Sequence, residues 1–331
     1  MLRTLLQALV TLGLAVVAVF FLIHLVPGDP AQIVLGEKAT PQAIESIRKE
    51  LGLDRPLAYQ LGSYISRLAS GDLGLSIRTG REVSAEILDR LPATLELSIV
   101  SLILSALIGI LLGAFAAKRP GGFVDLLLGG ISVLGLSLPV FFLGLILVYI
   151  FGLQLEWFPI SGRLSYSSHY EPMTGFVLLD SLLRLDFQTF WIGLQYIALP
   201  AIALATVPLS LIARLMRSSL LETLRADFIK TARAKGAPER TVFFRHALRN
   251  ALLPVITMLG FQFGLLLGGA ILTENVFAWP GMGRWIVASV EGRDYPAIQG
   301  GVLIFATGII VVMAITEFVH QWVDPRLRLK G

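Results

Sequence analysis

Six stretches of the chain stay apolar for about 20 residues each, at roughly 5–25, 96–117, 130–151, 194–215, 254–273 and 301–321. A helix rises 1.5 Å per residue, so a run of ~20 residues crosses the ~30 Å of hydrocarbon in a bilayer. Strands of a transmembrane barrel would alternate apolar and polar positions over ~10 residues, whereas these runs are continuous. Backbone groups left unpaired in lipid cost several kcal/mol each, which makes the helix the element such runs adopt. The expected fold class is therefore all-α integral membrane with six transmembrane helices.

Charge between the runs is sorted. If the N-terminus and every second connection share one side, that side holds Arg3, Lys118, Arg119, the block from Arg214 to Arg249, and Arg326, Arg328 and Lys330. That is 15 basic residues against 5 acidic ones, while the other side holds 12 basic and 17 acidic. Retention of Lys and Arg on the cytoplasmic face predicts that both termini are cytoplasmic. Segment 27–95 is too long for the rule to apply well, but the shorter connections give the same orientation.

Composition agrees. The 331 residues are 55% hydrophobic and 15% charged, with mean hydropathy +0.76, against about 25% charged in a soluble domain. The formal charge of +4 follows from the sorting and does not call for nucleic acid. No cysteine is present, which excludes disulfides, thiolate metal sites and a cysteine nucleophile, and the four histidines lie far apart. No GxxxxGK[ST] or GxSxG occurs, so neither ATP binding of that kind nor serine hydrolysis is expected, and no cofactor or metal in this chain.

Four parts are expected. Residues 1–26 form a first transmembrane helix, uncleaved because its run exceeds a signal peptide's 7–15 apolar residues and Pro27-Gly28-Asp29-Pro30, a turn, follows it. Residues 27–95 read as an outside helical cap, with Thr40 as N-cap, Pro41 at the first helical position, Ile44, Ile47 and Leu51 on one face and Gly52 at the C′ position. Residues 96–323 hold five more helices, and 324–331 a cytoplasmic tail. Pro139, Pro200 and Pro208 are placed to kink the third and fourth spans. Small residues such as Gly109, Gly113 and Gly264 suit close helix approach in lipid.

The inside segment from Met216 to Leu253 is much longer than a hairpin needs. It reads as two short helices. One lies near Asp227–Lys235, with Asp227 as candidate cap and Gly236 at its end; the other starts at Pro238 and carries Phe243, Phe244, Ala247 and Leu248 on one face. The surrounding block, Arg214 to Arg249, has nine basic and three acidic residues. A basic surface facing lipid head groups is one reading, and a knob that docks on a partner protein is another.

The run Asp227-Phe228-Ile229-Lys230-Thr231-Ala232-Arg233-Ala234-Lys235-Gly236, with His246 to Pro254 after it, resembles the EAA loop of ABC importer permeases of the dipeptide, oligopeptide and nickel branch. Pro27-Gly28-Asp29-Pro30, Leu51-Gly52-Leu53-Asp54-Arg55-Pro56, Gly71-Asp72-Leu73-Gly74, Leu91 to Leu97 and Ile271 to Arg284 resemble other stretches of that branch, so the likeness covers nearly the whole chain. Lys230-Thr231-Ala232 stands in place of Glu-Ala-Ala, as in that branch. The resemblance implies a type I importer permease fold. It also implies a second permease, two ATPases carrying ATP and Mg, and a periplasmic or tethered peptide-binding protein in a bacterial inner membrane. Asp227, Lys230, Thr231, Ala232, Arg233, Ala234 and Gly236 would then dock on an ATPase.

Gln262, Glu274, Asn275 and Glu317 are the candidate pathway or gate residues. A carboxylate in mid-span such as Glu317 is expected to face the bundle interior or a partner. Cargo is expected to be di- or oligopeptides, with nickel, glutathione or haem as alternatives on the same machinery. An ion-coupled secondary transporter is the alternative of a different class, and it would need more intramembrane polar ligands than this sequence offers.

Overall fold

The computed structural model describes residues 2–25, 40–50, 54–165 and 170–323. The described residues form helices and no strand, apart from an isolated antiparallel bridge between Leu75 and Glu82. In chain order the helices are α1 (Leu2–Leu25), α2 (Pro41–Glu50), α3 (Leu57–Ala69), α4 (Val83–Lys118), α5 (Phe123–Ser137) and α6 (Val140–Leu147). They continue with α7 (Val177–Leu183), α8 (Phe187–Arg225), α9 (Asp227–Ala234), α10 (Glu239–Val276), α11 (Met282–Glu291) and α12 (Tyr295–Val323). α6 runs on as a π-helical turn over Val148–Gln154, and α10 contains another over Val242–Leu248.

α4, α8, α10 and α12 are long and apolar enough to cross a bilayer. α5 and α6 would together supply a fifth span, but they meet at 107°. The described side chains of α1 leave an apolar helix only over Leu6–Phe21, short of a full span. Among the described residues there are thus four or five candidate spans, where the apolar runs predict six.

The helices overrun the apolar stretches. α4 starts at Val83 and α8 at Phe187, and α8 continues to Arg225. The third run is where expectation and structure part, and Pro139 is the cause. Proline disfavours helical backbone in the residue before it, and Leu138 is extended at φ −87°, ψ 126°. Pro200 and Pro208 sit inside an unbroken α8, and Pro254 inside α10. α2 starts at Pro41 as expected; Gly52 and the apolar face predicted for α2 fall outside the described residues or side chains.

The chain divides into two compact units, Met1–Pro92 with Gly281–Ile310, and Ala93–Pro280 with Val311–Gly331. The first has a core of Val83, Ile87, Met282, Trp285, Ile286 and Ala297. Two buried carboxylates organise it. Glu86 accepts from Trp285 Nε1 and Thr79 Oγ1, both at 2.5 Å. Asp294 accepts from the Ser76 hydroxyl and from the amides of Ile77 and Arg78, while capping α12 through Ala297 N–H. One side chain therefore fixes both a loop and a helix start.

The second unit packs α5, α6 and α10 around α8. A Cβ at Gly113 would strike the backbone of Ala213 and the side chain of Met216, so α4 and α8 come together there at a distance only glycine allows.

Candidate functional site

α8 is stopped at Ala226, whose ψ of 151° turns the chain out of the helix, and α9 starts at the next residue. Asp227 is accordingly not the cap but the first helical residue, and its carboxylate pairs with Lys230 at 2.8 Å. At the other end Gly236 has φ +77°. Its N–H bonds to Arg233 O and that of Ala237 to Ala232 O, the two bonds of a Schellman termination. A left-handed residue is what this ending demands, and glycine takes it without strain.

Ile229 fastens α9 to the rest of the unit. It is fully buried, in one cluster with Met216 and Leu220 of α8 and Val242, Ala247, Ala251 and Val255 of α10. Ser219 Oγ donates to Ala251 O, which joins α8 to α10 directly. Arg217 grips Asp125 with two bonds and thereby ties in α5. α9 is thus a short rigid helix slung between two long ones and sharing their core.

The structure brings all seven residues of the expected docking set onto this element. Asp227, Lys230, Thr231, Arg233, Ala234 and Gly236 are exposed and Ala232 half-buried. Arg233 folds back onto Glu239 at 2.7 Å. Sequence reasoning left out Ile229, the anchor, and Phe228, an aromatic ring that is 47% exposed beside the small residues. Of the residues expected to share one face of the next helix, Ala247 is buried and Phe244 is exposed. The π turn over Val242–Leu248 spaces its hydrogen bonds by five residues and rotates the face that ordinary helical spacing assigns. The second helix predicted after Pro238 is the first part of α10.

The four pathway candidates do not come together. Gln262 is buried, its amide 3.6 Å from Met258 Sδ. Glu274 is fully buried and accepts from the Thr94 hydroxyl at 2.6 Å. Asn275 is exposed and its amide bonds back to Ile271 O. Glu317 is exposed on α12, so it does not face the interior of this chain. An apolar cavity of about 250 Å³ in the same unit, bounded by Leu102, Phe263 and Ile315 among others, offers no cluster of polar groups.

A polar network beyond the sequence reading lies near Trp279. Glu96 and Arg163 pair at 2.5 Å with side chains 5% and 13% exposed. Glu96 also accepts from Leu178 N–H, and Arg163 donates to Gly175 O and lies over the Trp279 ring. Trp279 Nε1 donates to Ala93 O.

Asp180 organises the loop before α7. Burial pushes its carboxyl upward, but hydrogen bonds from the Thr174 and Tyr170 hydroxyls and from the amides of Met173 and Thr174 outweigh it and hold the group at about 2. A depressed folded value contributes stability that is complete above the unfolded carboxyl's range near 4 and is lost as pH falls toward 2. The protection factors of amides in residues 170–186, exchange rates corrected for the intrinsic pH dependence, should therefore be high and constant above pH 5 and fall below pH 4 in the parent, and should be low throughout in Asp180→Asn.

Residues 109–329 match the family described as binding-protein-dependent transport system inner membrane component, and residues 1–98 match its N-terminal companion family. The chain is similar to the dipeptide transport system permease protein DppB of Alkalihalophilus pseudofirmus, 42% identical over 326 residues and 98% of each chain. It is 44% identical over 310 residues to the di/tripeptide transport system permease protein DppB of Pseudomonas aeruginosa, covering 93% of this chain and 92% of that one. It is 38% identical over 328 residues to the glutathione transport system permease protein GsiC of Escherichia coli, covering 99% and 98%. The apolar helices define a multi-pass membrane protein. The chain belongs to the binding-protein-dependent transport system inner membrane components and is a permease subunit of an ABC transporter.

Proposed function

We propose that this chain is one permease half of an ATP-driven importer of di- and oligopeptides, and that α9 is the helix through which it is driven. The second half would be a similar permease (DppC-like). Two ATPase subunits (DppD- and DppF-like) would bind on the α9 side, and a peptide-binding protein would deliver cargo from the opposite side of a bacterial inner membrane. The six apolar runs support six crossings and the division 1–26, 27–95, 96–323 and 324–331, and charge sorting supports cytoplasmic placement of both termini.

The observation that carries this reading is mechanical. α9 presents exposed Phe228, Thr231 and Ala234 outward while Ile229 locks it into the core shared by α8 and α10. A subunit gripping that face moves both long helices at once, which biases a bundle with two openings from one to the other. Peptide cargo is favoured over glutathione by the higher identity to the two DppB proteins than to GsiC. An ion-coupled carrier has little support, since Gln262 and Glu274 are engaged within their own unit.

Extraction in mild detergent should recover this chain with one other permease and two ATPase subunits. Proteoliposomes of that assembly should take up dipeptide only with ATP and the binding protein. Uptake by the lone chain without ATP would refute the proposal.

A further inference from the structure

We propose that the break between α5 and α6 lines the aqueous pathway halfway through the membrane, an inference that rests on the permease reading above. α5 ends at Ser137 and α6 starts at Val140. Across the break, Leu138 N–H bonds to Leu134 O and Leu143 N–H to Pro139 O. Among the described hydrogen bonds, none ends on the carbonyls of residues 135–138 and none starts from the amides of residues 140–142.

Depth is measured along α8. Arg217, paired with Asp125 at the foot of α5, marks where charge leaves the hydrocarbon. Gly135 packs on Thr206 and Ser210, and Val140 against the clusters to which α8 contributes Ile197, Ala201 and Leu204, and Leu199 and Ala203. At 1.5 Å per residue the break then lies ~15–20 Å above Arg217, near the middle of a ~30 Å core.

One side of the break is buried against α8. On the other, Leu136, Ser137, Pro139, Phe141 and Phe142 are exposed. Lipid cannot pair open backbone groups, and non-helical backbone at this depth occurs only inside protein or against water. A companion helix has no spare backbone N–H or C=O and could satisfy the break only through polar side chains placed on it. Water satisfies it. The same carbonyls and amides can then exchange hydrogen bonds with the amide groups of a peptide in transit, whatever its side chains.

The chain has no cysteine, so Ser137→Cys places a single thiol in it. In the full assembly, with cysteines removed from its other subunits, a charged methanethiosulfonate should label that thiol in at least one nucleotide state. The rate should be at least about tenfold above that at Leu107→Cys, on the exposed side of α4 close to Gly109, which packs on Leu209 and Ile212 well above Arg217, because only the thiolate reacts and hydrocarbon suppresses it. Dipeptide with its binding protein should slow the labelling at Ser137→Cys. Equal rates at both positions in every state would overturn the proposal. So would fast labelling indifferent to cargo, which would mark a water crevice off the pathway. Uptake measured on the same vesicles separates the two levels: normal uptake without labelling removes the break from the pathway and leaves the permease reading intact, whereas an unsubstituted assembly that takes up nothing sinks both.

Discussion

Gly236→Lys is expected to abolish peptide uptake while the chain still inserts and accumulates. The residue sits at φ +77°, and a Cβ there would meet nothing within 4 Å in this chain. Steric crowding inside the chain is therefore not the source of damage. A non-glycine residue in left-handed backbone costs about 1–2 kcal/mol, too little to unfold a protein with a fully buried anchor such as Ile229, but enough to favour a re-angled helix end. Strain and protrusion can be told apart with two further variants. Asn tolerates the left-handed region, so Gly236→Asn should keep much of the uptake, and Gly236→Ala, which adds strain with almost no bulk, should fall between Asn and Lys. ATPase subunits should co-purify with the Asn variant and be lost from the Lys variant. Wild-type uptake by Gly236→Lys would remove α9 from the coupling role.

Local chemistry announced that helix end: a short run of helix formers, then Gly236 and Pro238, each with one preferred place in a helix boundary. The apolar runs likewise marked the spans, because hydrocarbon admits little else. They marked only the part that lies in lipid, however. A helix continues as long as its backbone is satisfied, which is why α4 begins at Val83 and α8 ends at Arg225, beyond any hydropathy boundary. Pro139 was visible as a possible kink. That it would break the span while Pro200 and Pro208 leave α8 intact depends on packing around α8, which a sequence does not display. The π turn in α10 was equally hidden, and with it the exposure of Phe244. Least legible were the long-range ion pairs. Asp125 meets Arg217 from 92 positions away, and Glu96 meets Arg163 from 67, so no local pattern joins either pair.

The second of those pairs predicts the other large effect. Arg163→Ala should prevent the chain from accumulating in a folded state. Its loss leaves the Glu96 carboxylate, 5% exposed, facing Leu178 N–H with no counter-charge. Stranding one member of a buried pair costs about 3–5 kcal/mol, a large share of the ~5–15 kcal/mol that separates a typical protein from unfolding. The same ion also lies over Trp279 and holds Gly175 O, so its loss loosens the segment before α7 as well. Charge is the quantity at issue, and neutralising the partner tests it. Arg163→Met with Glu96→Gln removes both ions, keeps an acceptor for Leu178 N–H and nearly preserves volume, and replacing a buried pair in this way is often close to neutral. The double variant should therefore melt within a few degrees of the parent in detergent and retain most of its uptake, while Arg163→Ala alone is scarce and melts far lower. If Arg163→Ala matches the parent in both yield and melting, the pair contributes little. If the single and double variants fail alike, the hydrogen bond to Gly175 and the packing on Trp279 matter more than the opposed charges.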